Sequence, residues 1–142
     1  RVLFRSSVPP NLHSSNRYLK SFPNTSANSN WATEYQAKNK ELPLNWSWQN
    51  AAGIQFLTAA IKKANSSDSK KVAEALRCLT IDSPFGANGK ITMRAEDNTI
   101  VDYALGWGVL DTKEPYMNNP SVGSWKQITE LELEWKKRKG WA

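Results

Sequence analysis

Along the chain, the pattern of apolar and polar positions predicts a polar entry, three helices, a turn-rich strand region and a final helix. Residues 7–29, SVPPNLHSSNRYLKSFPNTSANS, are rich in Ser, Asn and Pro and read as an irregular connection. NWATEYQAKNKEL follows as a first helix. Trp31, Tyr35 and Leu42 share a side, Ser29 or Asn30 caps the start, and Pro43 ends it. LNWSW alternates, with Leu44, Trp46 and Trp48 apolar, which suits a short strand entering a helix capped by Asn50. In that helix Ile54, Leu57 and Ile61 recur at helical spacing, and Ala60 and Ala64 widen the stripe toward a core. Lys62 and Lys63 occupy its last turn, where cations favour the negative end of the dipole.

NSSDS breaks the chain, and Ser67, Asp68 or Ser69 caps KKVAEALRCL. Val72, Leu76 and Leu79 form its apolar side. Turn signals then accumulate at Pro84, Gly86, Asn88-Gly89 and Asp97-Asn98. Lys90 to Met93 alternates, Ile100 to Val109 reads as a longer strand, and DTKEPYMNNPSVG reads as loop. Ser124 with Gln127 matches a capping box for the last helix. Trp125, Ile128, Leu131 and Trp135 mark its apolar side, and Gly140 suits the residue just past its end. Few strands and several amphipathic helices make a poor self-contained domain. The sheet that the helices cover is expected to lie largely upstream.

Composition narrows the class further. With 142 residues, 23% charged and 11% aromatic, the chain has globular values and room for one domain. No apolar run is long enough to span a membrane. The formal charge of +6 includes the run KKRK, Lys136 to Lys139. The opening RVLFRS is what CGT GTG CTC TTC CGA TCT encodes, and it resembles the end of a common sequencing adapter. Residues 1–6 are therefore expected to be a scar, with the true N-terminus upstream. The lone Cys78 allows no internal disulfide and reads as a small buried hydrophobe.

Candidate chemistry is sparse. Asp82, Glu96 and Asp97 with Trp46, Trp48 or Trp107 would suit a glycosidase, but turn chemistry explains the acids and packing the tryptophans. His13 is the only histidine and has no triad or zinc motif around it. KKRK beside Trp135 and Trp141 would suit nucleic acid. A solvated helix end explains it better, since no further stripe of Lys or Arg extends it. The segment Trp48, Gln49, Asn50 leads into a helix N-terminus, where free N–H groups are open to a ligand. It is the best binding candidate in the chain, as a set of cleft-lining residues.

The order of pieces from NWATEYQAKNKELP through IDSPFGANGKITMRAEDN to DYALGWGVL resembles the C-terminal part of the Leu/Ile/Val-binding family, the periplasmic solute-binding proteins of ABC transporters for branched-chain amino acids. YQAKNKELP is similar to the family's helix end, with Asn39 in place of a usual Tyr. NAAGIQFLTAAIKKANSSDSKKVAEALRCL is similar to its next two helices and their Ser/Asp-rich joint. IDSPFGANGKITMRAEDN is similar to its Asp-x-Pro-Phe-Gly turn, following strand and Arg-x-x-Asp turn. The resemblance covers roughly residues 22–142. WQN stands where the family more often has Tyr-Asp or Tyr-Asn, and the final helix extends beyond the shortest members.

The resemblance implies the C-terminal portion of an α/β, two-lobed periplasmic-binding-protein type I fold, Rossmann-like and incomplete in this chain. Residues 30–142 would contribute to both lobes and one hinge crossing. Asp82, Pro84, Phe85 and Gly86, within the stretch from Asp82 to Arg94, are the expected crossing. The implied function is capture of an amino acid or related small polar solute between the lobes, and delivery to ABC permease subunits. A ligand-sensing domain of a receptor or regulator, of amide or urea type, is the alternative on the same fold. No enzymatic activity, cofactor, metal or nucleic acid is implied, and the expected state is a monomer in the periplasm or another extracytoplasmic space. The principal solute contacts are expected upstream. Residues 7–142 alone are therefore expected to be marginally folded and to bind no amino acid measurably.

Overall fold

In the computed structural model, which describes residues 9–114 and 116–141, the Ser/Asn-rich entry is not irregular throughout. The adapter-like residues 1–6 lie outside the described residues. His13–Asn16 forms a strand, β1, and the chain folds back between Leu19 and Phe22 before the first helix. That helix, α1, is Ser26–Asn39 and starts a turn earlier than Ser29 or Asn30 would allow. Its cap is Thr25, whose hydroxyl accepts the Asn28 N–H at 3.2 Å. Asn28 is buried, and its amide donates to the Lys20 and Pro23 carbonyls at 3.1 and 3.0 Å, tying the preceding loop to the helix. Lys40 ends α1 in the left-handed region, before Pro43 is reached.

The expected short strand at LNWSW is absent. Helix α2, Asn45–Ala64, begins there, so Trp46 and Trp48 lie in its first turns and Asn50 is in its interior. Leu44 is the N-cap and offers no side-chain acceptor; its own N–H donates to the Ser47 hydroxyl at 3.1 Å. This is the returning half of a capping box. The Asn50 amide donates to the Trp46 carbonyl one turn back. The face of α2 that is buried is Trp48, Ala52, Phe56 and Ala60. The stripe expected to face the core points outward instead, with Ile54, Leu57 and Ile61 at 64, 44 and 39% exposure. Successive alanines on the buried face allow the close approach of α3, Ser69–Leu76, whose Val72 and Ala75 pack on Ala60. Asp68 caps α3, accepting the Lys71 N–H at 3.1 Å. Cys78 is exposed, correcting the expectation of burial. It lies past the end of α3 at φ 55°, where the chain turns to return Leu79 to the core.

Strands β2 (Thr80–Asp82), β3 (Lys90–Met93) and β4 (Ile100–Val101) form one antiparallel sheet in that order. Strands β5 (Gly106–Leu110) and β6 (Met117–Val122) form a second sheet with β1, in the order β1-β5-β6. The single strand expected over Ile100 to Val109 is thus divided between two sheets. The loop expected at DTKEPYMNNPSVG contains β6, an edge strand that carries Pro120 where no inner strand would tolerate it. The main core joins Tyr18, Trp48, Ala52, Phe56, Phe85, Ile91 and Met93. Each large apolar side chain there contributes about 1.5–3 kcal/mol by leaving water.

The final helix, α4, is Trp125–Arg138 and is capped by Ser124 as expected, Gln127 N–H donating to its hydroxyl at 3.3 Å, which is the serine's half of the box. It contributes no buried residue, and its contacts to the rest of the fold include a ring packing of Trp125 on Tyr103 at 4.7 Å and two polar links. Trp125 Nε1 donates to the Tyr103 carbonyl at 2.7 Å, and Arg94 donates to both Glu132 oxygens, at 2.6 and 3.2 Å. Hydrogen bonds from Arg94 and Lys136 hold the Glu132 carboxyl at about 2, below its ordinary 4.5. A carboxylate depressed in the folded state contributes stability that is complete above its ordinary value and is lost as pH falls toward the depressed one. Glu132→Gln is therefore expected to lower stability near neutrality and to flatten the acid limb between 4.5 and about 2, followed by circular dichroism of urea unfolding at each pH.

Candidate functional site

The Trp48 indole is 1% exposed, packed against the rings of Phe85 at 5.7 Å and Tyr103 at 4.8 Å. Gln49 is half-buried and Asn50 exposed. The three do not converge on one opening, because helical geometry turns successive side chains by about 100°. The residue of this segment that faces an opening is Trp46, at 70% exposure.

Trp46 borders a depression of about 330 Å³ in front of α2. Asn45 and Trp46 line one side, with Leu42, Pro43 and Leu44 of the incoming loop. Asn16 at the end of β1, then Tyr18, Leu19 and Lys20, line the other, and Tyr116 closes the rim. Ser47 N–H already donates to the Leu44 carbonyl at 2.9 Å, which leaves the N–H groups of Asn45 and Trp46 without an intrahelical acceptor, and with the dipole they make this end of α2 electropositive. Lys20 adds a cation, paired with Glu114 at 3.6 Å across an exposed gap. Tyr18 is 2% exposed and stands edge-on to Trp31 and Phe85, at 5.5 and 6.1 Å. Burial pushes its hydroxyl above the usual phenol range, so it stays protonated at any physiological pH. The hydroxyl has no hydrogen-bond partner among the described residues. An indole face, an amide-rich helix end and a lysine suit a small solute that carries a carboxylate and an apolar or aromatic body.

The residues of the expected crossing take separate places. Asp82 is exposed and pairs with Lys90 at 2.6 Å. Pro84 is half-buried, while Phe85 and Gly86 are buried. Asp82 to Arg94 forms a hairpin within one sheet, with Ser83 N–H donating to the Gly89 carbonyl at 2.9 Å. The chain passes to the other sheet later, between β4 and β5. There Gly86 bridges Tyr103, and the Phe85 carbonyl accepts the Ala104 N–H at 2.8 Å.

The carboxylates weighed for catalysis are engaged in turns and ion pairs. Asp97 accepts from the Thr99 hydroxyl and N–H, at 2.7 and 3.1 Å, and pairs with Arg94 at 2.9 Å. The Thr99 hydroxyl bond, ahead of the Arg94 charge, holds it below the usual carboxylate range. Glu96 lies 3.7 Å from the same arginine. Trp107 stacks on His13, centroids 6.4 Å apart, on the open face of the second sheet. Among the described residues no cluster of His, Cys, Asp and Glu would hold a metal ion, and no helix is long and apolar enough to cross a membrane.

Comparison with known proteins places this geometry in context. A family model described as periplasmic binding protein matches residues 10–105. An ABC-type branched-chain amino acid transporter protein from Rhodopseudomonas palustris superposes with a TM-score of 0.65 at 18% identity, over 87% of this chain and 32% of that one. A solute-binding protein of an ABC transporter from R. palustris BisB5, in complex with 3,4-dihydroxybenzoic acid, gives 0.66 at 17% identity, over 80% and 30%. A periplasmic binding protein from Burkholderia mallei gives 0.64 at 22%, over 81% and 30%. The chain spans about a third of the length of these structures, which share its fold. No curated protein matched.

Proposed function

The chain belongs to the periplasmic binding proteins, whose family model matches residues 10–105, and from that premise we propose that it is part of the solute-binding component of an ABC importer. In this reading it helps capture a branched-chain amino acid or a related small carboxylate in a cleft and deliver it to the permease. The observation that supports it is the depression before α2, where Trp46, Lys20 and the helix N-terminus converge. Lys20 and the free N–H groups take the carboxylate, and Trp46 covers the apolar body. Closure follows from differential affinity, since a solute shifts the lobes only by binding the closed state more tightly.

The hinge belongs to the same proposal. Phe85 and Gly86 are hydrogen-bonded to the segment through which the chain leaves the first sheet, so Asp82, Pro84, Phe85 and Gly86 would brace the crossing at Tyr103–Ala104 rather than form it. Gln49 and Asn50 would line the cleft only beyond Trp46, on the same exposed side of α2.

Calorimetric titration of a two-lobed protein containing this chain tests the reading, with leucine, valine and 3,4-dihydroxybenzoate as solutes. Lys20→Ala and Trp46→Ala are each expected to weaken the bound solute by about tenfold, the size of one charge-assisted or one stacking contact. Unchanged affinity in both variants would move the site away from α2.

A further inference from the structure

The C-terminal end of α4 is built unlike the rest of the surface. The helix closes with Gly140 at φ 70°, Gly140 N–H donating to the Lys137 carbonyl at 3.1 Å and Trp141 N–H to the Lys136 carbonyl at 2.9 Å. This paired closure folds the chain back over the last turn. It sets the Trp141 ring edge-on against Trp135, centroids 4.8 Å apart. Both indoles remain open, at 67 and 41% exposure, and Leu131 and Leu133 are exposed a turn earlier. Between the indoles lie Lys136, Lys137, Arg138 and Lys139. Lys136 pairs with Glu132 at 2.7 Å, while Lys137, Arg138 and Lys139 have no ion pair among the described residues. A protein that wanted these cations only for the helix dipole has no use for two indoles held beside them in water.

We propose that this end of α4 docks the protein on an anionic lipid surface. Indoles prefer the boundary between headgroup and acyl chain, because one edge is apolar and the N–H stays wet. Lys and Arg lay their stems along apolar surface and keep their charge among headgroups. Cations and indoles confined to one helical turn fit a plane met end-on. They fit a nucleic-acid strand poorly, because a strand needs a basic track, and the preceding turns of α4 carry Glu130, Glu132 and Glu134 in place of further cations. The site is separate from the depression before α2 and does not depend on which solute that depression takes.

Flotation of a two-lobed protein containing this chain with phosphatidylcholine vesicles, plain or containing about one quarter phosphatidylglycerol, is the test. Binding to the anionic vesicles alone is expected. Changing Lys136, Lys137, Arg138 and Lys139 together to Gln should lower partitioning by about a hundredfold or more, since each cation near such a surface counts about fivefold. Trp141→Ser, which lies beyond the helix and leaves its hydrogen bonds intact, should lower it roughly tenfold. The same charge change made at Lys62, Lys63, Lys70 and Lys71 should leave it within about threefold. Four results of these assays would overturn the proposal, and a fifth comes from sedimentation. They are no binding to either vesicle, equal binding to both, an equal loss from the two quadruple variants, or tighter retention on duplex DNA than on the anionic vesicles through the same four cations. A dimer by sedimentation that Trp141→Ser dissociates would assign the patch to a second copy instead.

Discussion

Gly86→Ala is expected to be the most destabilising of the Gly→Ala changes in this chain. An ideal Cβ at Gly86 would stand 2.0 Å from the Lys90 carbonyl oxygen and 2.6 Å from the Lys90 carbonyl carbon and nitrogen. These are backbone atoms of the first residue of β3, fixed by the pairing of Asp82 with Lys90. No rotamer can relieve the overlap, so the hairpin must open or the chain at Phe85 must move. Phe85 is 2% exposed and meets Tyr18, Trp31 and Trp48, so movement there disturbs the core. Overpacking that side chains can absorb costs about 1–3 kcal/mol, and a backbone clash belongs at or above the upper end. The expected result is a fall in melting temperature of about 10 °C or more. Gly53→Ala provides the contrast, because nothing lies within 4 Å of a Cβ at that helical position. It should raise stability by about 0.5–1 kcal/mol through helix propensity alone. If both variants melt together, the tight approach of Gly86 to Lys90 is not a feature of the folded chain.

The elements that could be read from the sequence were those whose signals are local. Asp68 before α3, Ser124 before α4 and Gly140 after it act on backbone groups within a turn; Asp68 and Gly140 do what their spacing predicts, and Ser124 supplies its own half of the box, accepting the Gln127 N–H. The family resemblance rested on such local pieces in order, and the match over residues 10–105 supports it. The edge strands of the second sheet left no such signal. β1 is HSSN and β6 is MNNPSV, and both are edge strands, which need no alternation of apolar residues to face a core. Helix α2 failed differently. It carries two apolar stripes, and periodicity cannot choose between them. Which one is buried depends on the size of residue that the neighbouring elements admit, and the alanines win at close quarters.

The depression before α2 was the least legible feature. Its walls come from residues 16–20, 42–46 and 116, brought together by β1 and by the loop after β5. Of these, only Trp46 carried a functional reading in the sequence, beside the carboxylates that would suit a glycosidase. Tyr18 and Lys20 sit in a stretch whose composition spells loop, and no spacing within it marks a site. The start of α2 was hidden because Leu44 cannot cap by side chain. The available signal was Ser47, three residues on, whose hydroxyl accepts the Leu44 N–H.

The two tryptophans of that segment give the second large effect. As a strand, LNWSW would place Trp46 and Trp48 on one face, since residues two apart share a side. As the first turns of α2 they part: Trp46 is 70% exposed at the depression, and Trp48 is 1% exposed in the core. Trp48→Ala is therefore expected to cost about 3–5 kcal/mol, the range for emptying a buried aromatic site. Against a total of about 5–15 kcal/mol for an ordinary domain, that is enough to leave much of the chain unfolded near 37 °C. Trp48→Phe should cost far less, because a ring still fills the space against Phe85 and Tyr103 and the indole N–H, which has no hydrogen-bond partner among the described residues, is gone. Trp46→Ala should change stability by no more than about 0.5 kcal/mol, as at other exposed sites, while weakening the solute. Urea unfolding of the three variants separates the two geometries. Equal losses at positions 46 and 48 would restore the strand, and a large loss at 48 alone fixes the helix and leaves Trp46 free for the ligand.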